Sequence, residues 1–129
     1  MILVDTSALV ALVEPDDSYH TQAARWVSSI SPELLVTHNY IAVEAASLVQ
    51  RRLGVRAARE LLTTWLSVLD VRWVTREIHD VAVADLCGGA KANVSLVDWV
   101  SFEVMRREGI NTAFAFDRDF ARQGFRVVP

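Results

Sequence analysis

Apolar residues fall in short blocks separated by longer amphipathic stretches, and the two kinds alternate down the chain. Ile2–Val4 is an apolar run that ends at Asp5 and reads as a buried strand. Thr6 or Ser7 can cap a short helix to about Val13, and Glu14-Pro-Asp-Asp marks a turn. Residues 18 to about 29 predict a helix with Tyr19, Ala23, Trp26, Val27 and Ile30 near one face, broken by Ser31-Pro-Glu. Residues 34–36 form a second strand block, and Thr37 is placed to cap a helix to about Leu53. Past Gly54, a helix from Val55 to about Leu69 carries Val55, Ala58, Leu62, Trp65 and Leu69 at helical spacing. Residues 71–74 are a third strand candidate, followed by a helix from Glu77 to about Leu86 that Gly88-Gly89 ends. The next helix runs from Ser95 to about Glu108, opens on Ser95-Leu-Val-Asp98 like a capping box with aspartate for glutamate, and stops at Gly109. Residues 113–116 form a fourth strand ending at Asp117, and residues 125–128 a fifth.

Strands alternating with helices imply parallel pairing and an α/β sandwich. The 129 residues fit one domain, and 52% apolar content is enough for one core. No apolar run is long enough to span a bilayer. The opening Met-Ile-Leu-Val-Asp lacks the basic segment of a secretory signal, so a cytoplasmic location is expected. Cys87 stands alone, which excludes an internal disulfide framework and a cysteine-rich zinc site. His20, His38 and His79 show no paired zinc-ligand spacing. The net charge of −3 argues at first against nucleic acid, but arginines gather at 51, 52, 56 and 59, at 106 and 107, and at 118, 122 and 126.

Four acids stand where a solvated surface charge would not. Asp5 and Asp117 each follow an apolar strand block, at the carboxyl end where open α/β sheets bind ligands. Glu44 interrupts the stripe of Ile41 and Leu48, and Asp98 that of Val94, Phe102 and Met105. A carboxylate on such a face is costly unless it is paired or bound to a cation. Each acid also has a plainer reading: Asp5 as a helix cap, Asp117 as the start of a turn, Asp98 as a capping-box acid, Glu44 as a salt-bridge partner. Crowded carboxylates hold protons unless a cation neutralises them, and an oxygen-only set suits Mg²⁺ or Mn²⁺. If all four share one site, their carboxylates should lie about 4–10 Å apart, given Mg–O distances of ~2.1 Å.

The opening Val4-Asp5-Thr6-Ser7-Ala8-Leu9, the Glu44 helix, Ser95-Leu-Val-Asp98 and Ala115-Phe116-Asp117-Arg118-Asp119-Phe120 together resemble a PIN domain, and more closely the PIN-domain toxins of VapBC toxin–antitoxin systems. The resemblance covers essentially the whole chain. It implies an α/β three-layer sandwich, with a central parallel sheet of order 3-2-1-4-5 flanked by helices. It also implies a Mg²⁺- or Mn²⁺-dependent endoribonuclease with Asp5, Glu44, Asp98 and Asp117 as its catalytic acids. Asp5, Asp98 and Asp117 would be metal ligands and Glu44 would act through a water, with Thr6 or Ser7 as a supporting hydroxyl and Asp119 as an auxiliary acid. The implied partners are an RNA substrate, a cognate antitoxin whose basic side chain approaches the acids, and a second copy of the chain in a homodimer. The two helices between Thr37 and Leu69 are where the antitoxin would dock.

Other readings use the same residues. A PIN-fold nuclease of RNA maturation and a non-catalytic PIN-fold binding module both fit the fold. A receiver domain would need an aspartate ending its third strand, and a dehalogenase-like phosphatase an Asp-x-Asp after its first; the chain has neither. Asp85 interrupts a stripe without matching a family acid, and Lys91, the only lysine, reads as a solvated loop residue. His38 reads as a helix-start or core histidine, Trp65 as core or interface, and Cys87 as a buried small hydrophobe.

Overall fold

The computed structural model describes residues 1–89 and 93–129; Lys91 lies outside the described residues. Strands β1 (Ile2–Val4), β2 (Leu35–His38), β3 (Asp70–Arg72), β4 (Thr112–Phe114) and β5 (Arg126–Val128) form one sheet of order β3-β2-β1-β4-β5. Every pairing is parallel, with Leu3 opposite Val36 on one side and Ala113 on the other. The helices are α1 (Thr6–Val13), α2 (His20–Val27), α3 (Asn39–Leu53), α4 (Val55–Glu60), α5 (Arg76–Gly88), α6 (Leu96–Glu108) and α7 (Asp119–Arg122). This is the α/β sandwich that the alternation of elements implied, with the strand order that the resemblance implied.

The core explains why the apolar blocks are short. Leu3, Val4, Val36, Ala113 and Phe114 are buried on central strands covered by helices on both faces. Phe102 of α6 anchors an aromatic cluster, edge-on to Trp99 and Phe120 with centroids at 5.6 and 5.1 Å. Gly54, at φ +93°, turns α3 directly into α4, a conformation that L side chains rarely adopt.

Local differences from the sequence reading have identifiable causes. α4 does not run regularly to Leu69. It passes into a π-helical turn, Leu61–Trp65, where the Leu66 N–H donates to the Leu61 carbonyl at 3.0 Å. Leu61, three residues after the buried Ala58, lies in the core where the turn begins, and Leu62 is 48% exposed, against the expected stripe. β4 ends at Phe114, two residues early: the Phe116 N–H leaves the ladder to donate to Ser7 Oγ at 3.0 Å. His38, not Thr37, caps α3, its Nδ1 accepting from the Ile41 N–H at 3.2 Å. Cys87 is exposed rather than buried; it lies five residues after the buried Ala82, about 140° round α5.

Candidate active site

The site forms where the sheet changes direction. β1 leads out to β2 on one side, β4 leads to β5 on the other, and the two are neighbours, so a crevice opens beyond their carboxyl ends. Asp5 is the first residue past β1 and is buried; its N–H donates to the Phe114 carbonyl at 3.0 Å, continuing the β1–β4 ladder. Asp117 follows β4 after a two-residue link, half-buried, with its Oδ1 accepting from the Asp119 N–H at 2.9 Å. Asp98 projects from the first turn of α6, whose N-cap Ser95 accepts from the Asp98 N–H at 3.1 Å.

Carboxylate oxygens of Asp5, Asp98 and Asp117 all lie within 4.8 Å of one another. Glu44, half-buried on α3, is not part of that triple but lines the same cavity of about 350 Å³. Asp5 also caps α1, its Oδ2 accepting from the N–H and the hydroxyl of Ser7 at 3.1 and 2.6 Å. Ser7 Oγ in turn accepts from the Phe116 N–H, so one hydroxyl fixes Asp5 and the chain entering Asp117. Asp119 sits beside the triple, paired with Arg122 at 3.2 Å.

Burial and crowding set the electrostatics. Burial pushes the Asp5 carboxyl up to about 6; the Ser7 hydrogen bonds oppose the rise and the Asp117 charge adds to it. Asp98 is pushed up to about 7, first by burial and then by the charges of Asp5 and Asp117, against the Ser95 hydrogen bonds. Asp117 is raised by burial, with the neighbouring Asp119 charge adding to the rise. Three acids that resist ionisation together suit a divalent cation. The hydroxyl of Thr6 is buried on the same cavity with no partner among the described residues, a polar atom awaiting a ligand or water. The donor set is all oxygen, which fits Mg²⁺ or Mn²⁺ rather than zinc.

The cavity also holds residues that the sequence did not single out. Asp17, Tyr19 and Arg52 line it. Tyr19 had only the signal of an amphipathic helix, and it lies just before α2. Arg52 belonged to an arginine cluster in which nothing distinguished it from its neighbours.

A PIN-domain model matches residues 2–126. The chain belongs to the PIN-domain family. It is 40% identical over 130 residues to the 23S rRNA-specific endonuclease VapC20 of Mycobacterium tuberculosis, covering 99% of this chain and 98% of that protein. The crystal structure of Mycobacterium tuberculosis VapC20, a sarcin–ricin loop cleaving toxin, superposes with a TM-score of 0.89 at 37% identity, over 97% of this chain and 96% of that one. FitAcB from Neisseria gonorrhoeae shares the fold alone, with a TM-score of 0.74 at 15% identity over 100% of this chain and 97% of that one. The PIN-domain resemblance carried by the segments around Asp5, Glu44, Asp98 and Asp117 is thus the family whose model matches residues 2–126.

Proposed function

We propose that this PIN-domain chain is the endoribonuclease toxin of a toxin–antitoxin pair and cleaves 23S rRNA in the sarcin–ricin loop, the target named for its Mycobacterium tuberculosis relative. The observation that carries the chemistry is the convergence of Asp5, Asp98 and Asp117 at the crevice between β1 and β4. These three would hold Mg²⁺ or Mn²⁺, with Glu44 acting through a water. When bound, the cation activates water and neutralises charge on a phosphodiester, so no histidine or cysteine is required. The chain's own residues do the positioning. Ser7 orients Asp5, the Asp119 N–H orients Asp117, and the first turn of α6 presents Asp98 where the helix dipole favours an anion. Asp98, pushed up to about 7 by burial and its acidic neighbours, would have to lose its proton to hold the cation, so affinity would rise with pH across neutrality.

The test is cleavage of a synthetic sarcin–ricin hairpin and of intact 23S rRNA, with the cut mapped by primer extension. A single cut in the loop, abolished by EDTA and restored by Mg²⁺ or Mn²⁺, is the expected result. Cleavage that survives EDTA overturns the metal reading; a cut elsewhere in 23S rRNA overturns the target.

A cognate antitoxin is the protein partner in this reading, seated on the α3–α4 surface, with a homodimer as the resting toxin assembly and the cytoplasm as its place of action. Val43, Leu53, Val55 and Leu62 are exposed apolar residues on this stretch, and Trp65 is half-buried. No helix among the described residues is long and apolar enough to cross a membrane.

A further inference from the structure

We propose that Tyr19, stacked on Phe116, is the platform on which a nucleobase flanking the scissile phosphodiester stacks. The inference rests on the ribonuclease reading and names how that site grips its substrate.

The two rings are nearly parallel, 11° apart with centroids at 4.5 Å. Phe116 meets Phe114 edge-on at 5.9 Å, and Phe114 packs on Trp26 at 4.5 Å. Phe114 is fully buried, while Tyr19 remains 45% exposed. Tyr19 is therefore the outer end of an aromatic column rooted in the core, and both rings line the cavity that holds the acids. Phe116 immediately precedes Asp117, and its N–H is held by the same Ser7 hydroxyl that binds Asp5. The other side of the platform is fixed as well: Asp17 Oδ1 accepts from the Tyr19 N–H at 2.8 Å, and His20 Nδ1 lies 2.8 Å from the Ala11 carbonyl.

Charge points to the same ligand. The cavity is rich in carboxylates, and among the described residues the cationic side chain lining it, Arg52, is paired with Glu14 at 3.2 Å. Beyond the cation the acids would hold, side-chain cations lining this cavity among the described residues therefore add little grip on a polyanion. Stacking needs no cation, and RNA loops present unstacked bases that aromatic side chains accept. Were Tyr19 only an apolar cover over Phe116, a leucine would serve as well.

The experiment pairs protein variants with base deletions. The sarcin–ricin hairpin is made intact and with each base beside the cut replaced by an abasic nucleotide. Kinetics are measured with the wild type and with Tyr19→Phe, Tyr19→Trp and Tyr19→Leu. The ring variants should stay within about three-fold of wild type. Tyr19→Leu should raise KM on the order of ten-fold, with kcat changed little, as expected for one lost base stack. One abasic substitution should cost the wild type a similar factor and cost Tyr19→Leu nothing further. Independent, multiplying losses overturn the proposal, as does a Tyr19→Leu enzyme equal to wild type. Binding of the same hairpin with 2-aminopurine at that position separates this claim from the hydrolytic one. Tyr19-dependent quenching without cleavage supports the platform and defeats the hydrolytic reading. Cleavage without Tyr19-dependent quenching defeats the platform alone, and absence of both defeats both.

Discussion

α6 contributes one side chain to each of two polar clusters, Asp98 to the acid site and Ser101, three residues on, to a group around His38. Both clusters also draw on β1 and its flank, yet they are built on opposite terms. Around His38 every group has a partner. Its Nδ1 accepts from the Ile41 N–H, which leaves the ring proton on Nε2 to donate to Ser101 Oγ at 2.8 Å; that hydroxyl donates to the Val97 carbonyl at 3.0 Å. Thr37 Oγ1 donates to the Val4 carbonyl at 3.0 Å. Burial pushes the His38 pKa down to about 3, so the ring is neutral and the network is complete. Around Asp98 the groups are like-charged, the Asp5 and Asp98 acids are raised to about 6 and 7, and the Thr6 hydroxyl is unpartnered among the described residues. A satisfied buried network stabilises and specifies the fold, whereas an unsatisfied one marks a place kept for a ligand.

Substitutions that behave oppositely in the two clusters test this contrast. The largest effect is expected for Asp5→Asn: cleavage should fall by about a thousand-fold or more, the equivalent of several kcal/mol of charge stabilisation, while the metal-free protein stays folded. Retained cleavage would remove Asp5 from the acid set and leave it as the α1 cap alone. Next is His38→Ala, which should destabilise the fold by about 3 kcal/mol in denaturant melts. It opens a cavity, leaves Ser101 without one partner and removes the α3 cap. A loss under about 1 kcal/mol would mean that the network around His38 contributes far less than its burial implies.

Much of this was legible in the sequence, for reasons visible in particular residues. Blocks such as Ile2–Val4 had to be central strands because both faces are buried, and Asp5 and Asp98 stood out because they break apolar patterns. The position of Asp5 in the sequence admits a cap or a site residue, and its carboxylate does both, capping α1 while facing the other acids. What escaped depended on three-dimensional register. Helical spacing from Ala58 admits either Leu61 or Leu62 as the buried residue, and the π-helical turn that starts at Leu61 leaves no mark in a 3.6-residue pattern. Nor does the apolar run through Ala115 and Phe116 reveal that Phe116 quits the ladder for Ser7. Tyr19 reaches the acids only through the loop beyond α1, which local patterning does not locate.

Ser7 sharpens the comparison because it is a satisfied group inside the unsatisfied cluster. It gives one hydrogen bond to Asp5 and receives one from Phe116. Ser7→Ala should lower cleavage about ten- to a hundred-fold, the range for partners that orient metal ligands, with a thermal shift of only a few degrees. A loss confined to stability would place Ser7 with the structural hydroxyls instead.

The smallest effect is also the one whose sign separates the clusters. Burial first, and then the neighbouring acidic charges, push Asp5 up to about 6 and Asp98 up to about 7 in the folded protein, above the value of 3.8 that each has when unperturbed. Between about pH 4 and 7 the folded state keeps protons that the unfolded chain has released, so metal-free stability must fall as pH rises through that window. Asp98→Asn removes the larger of the two shifts. Without metal, the variant should be more stable than wild type at pH 8, by about 1–2 kcal/mol once solvent screening of this half-buried carboxylate is counted, and level with it at pH 4, as read from denaturant melts. Mg²⁺ should then stabilise wild type at pH 8 and the variant much less. A variant that melts lower at pH 8 would mean that Asp98's share in capping α6 with Ser95 outweighs the repulsion it suffers. The acid cluster would then resemble the His38 network in the one respect on which the contrast depends.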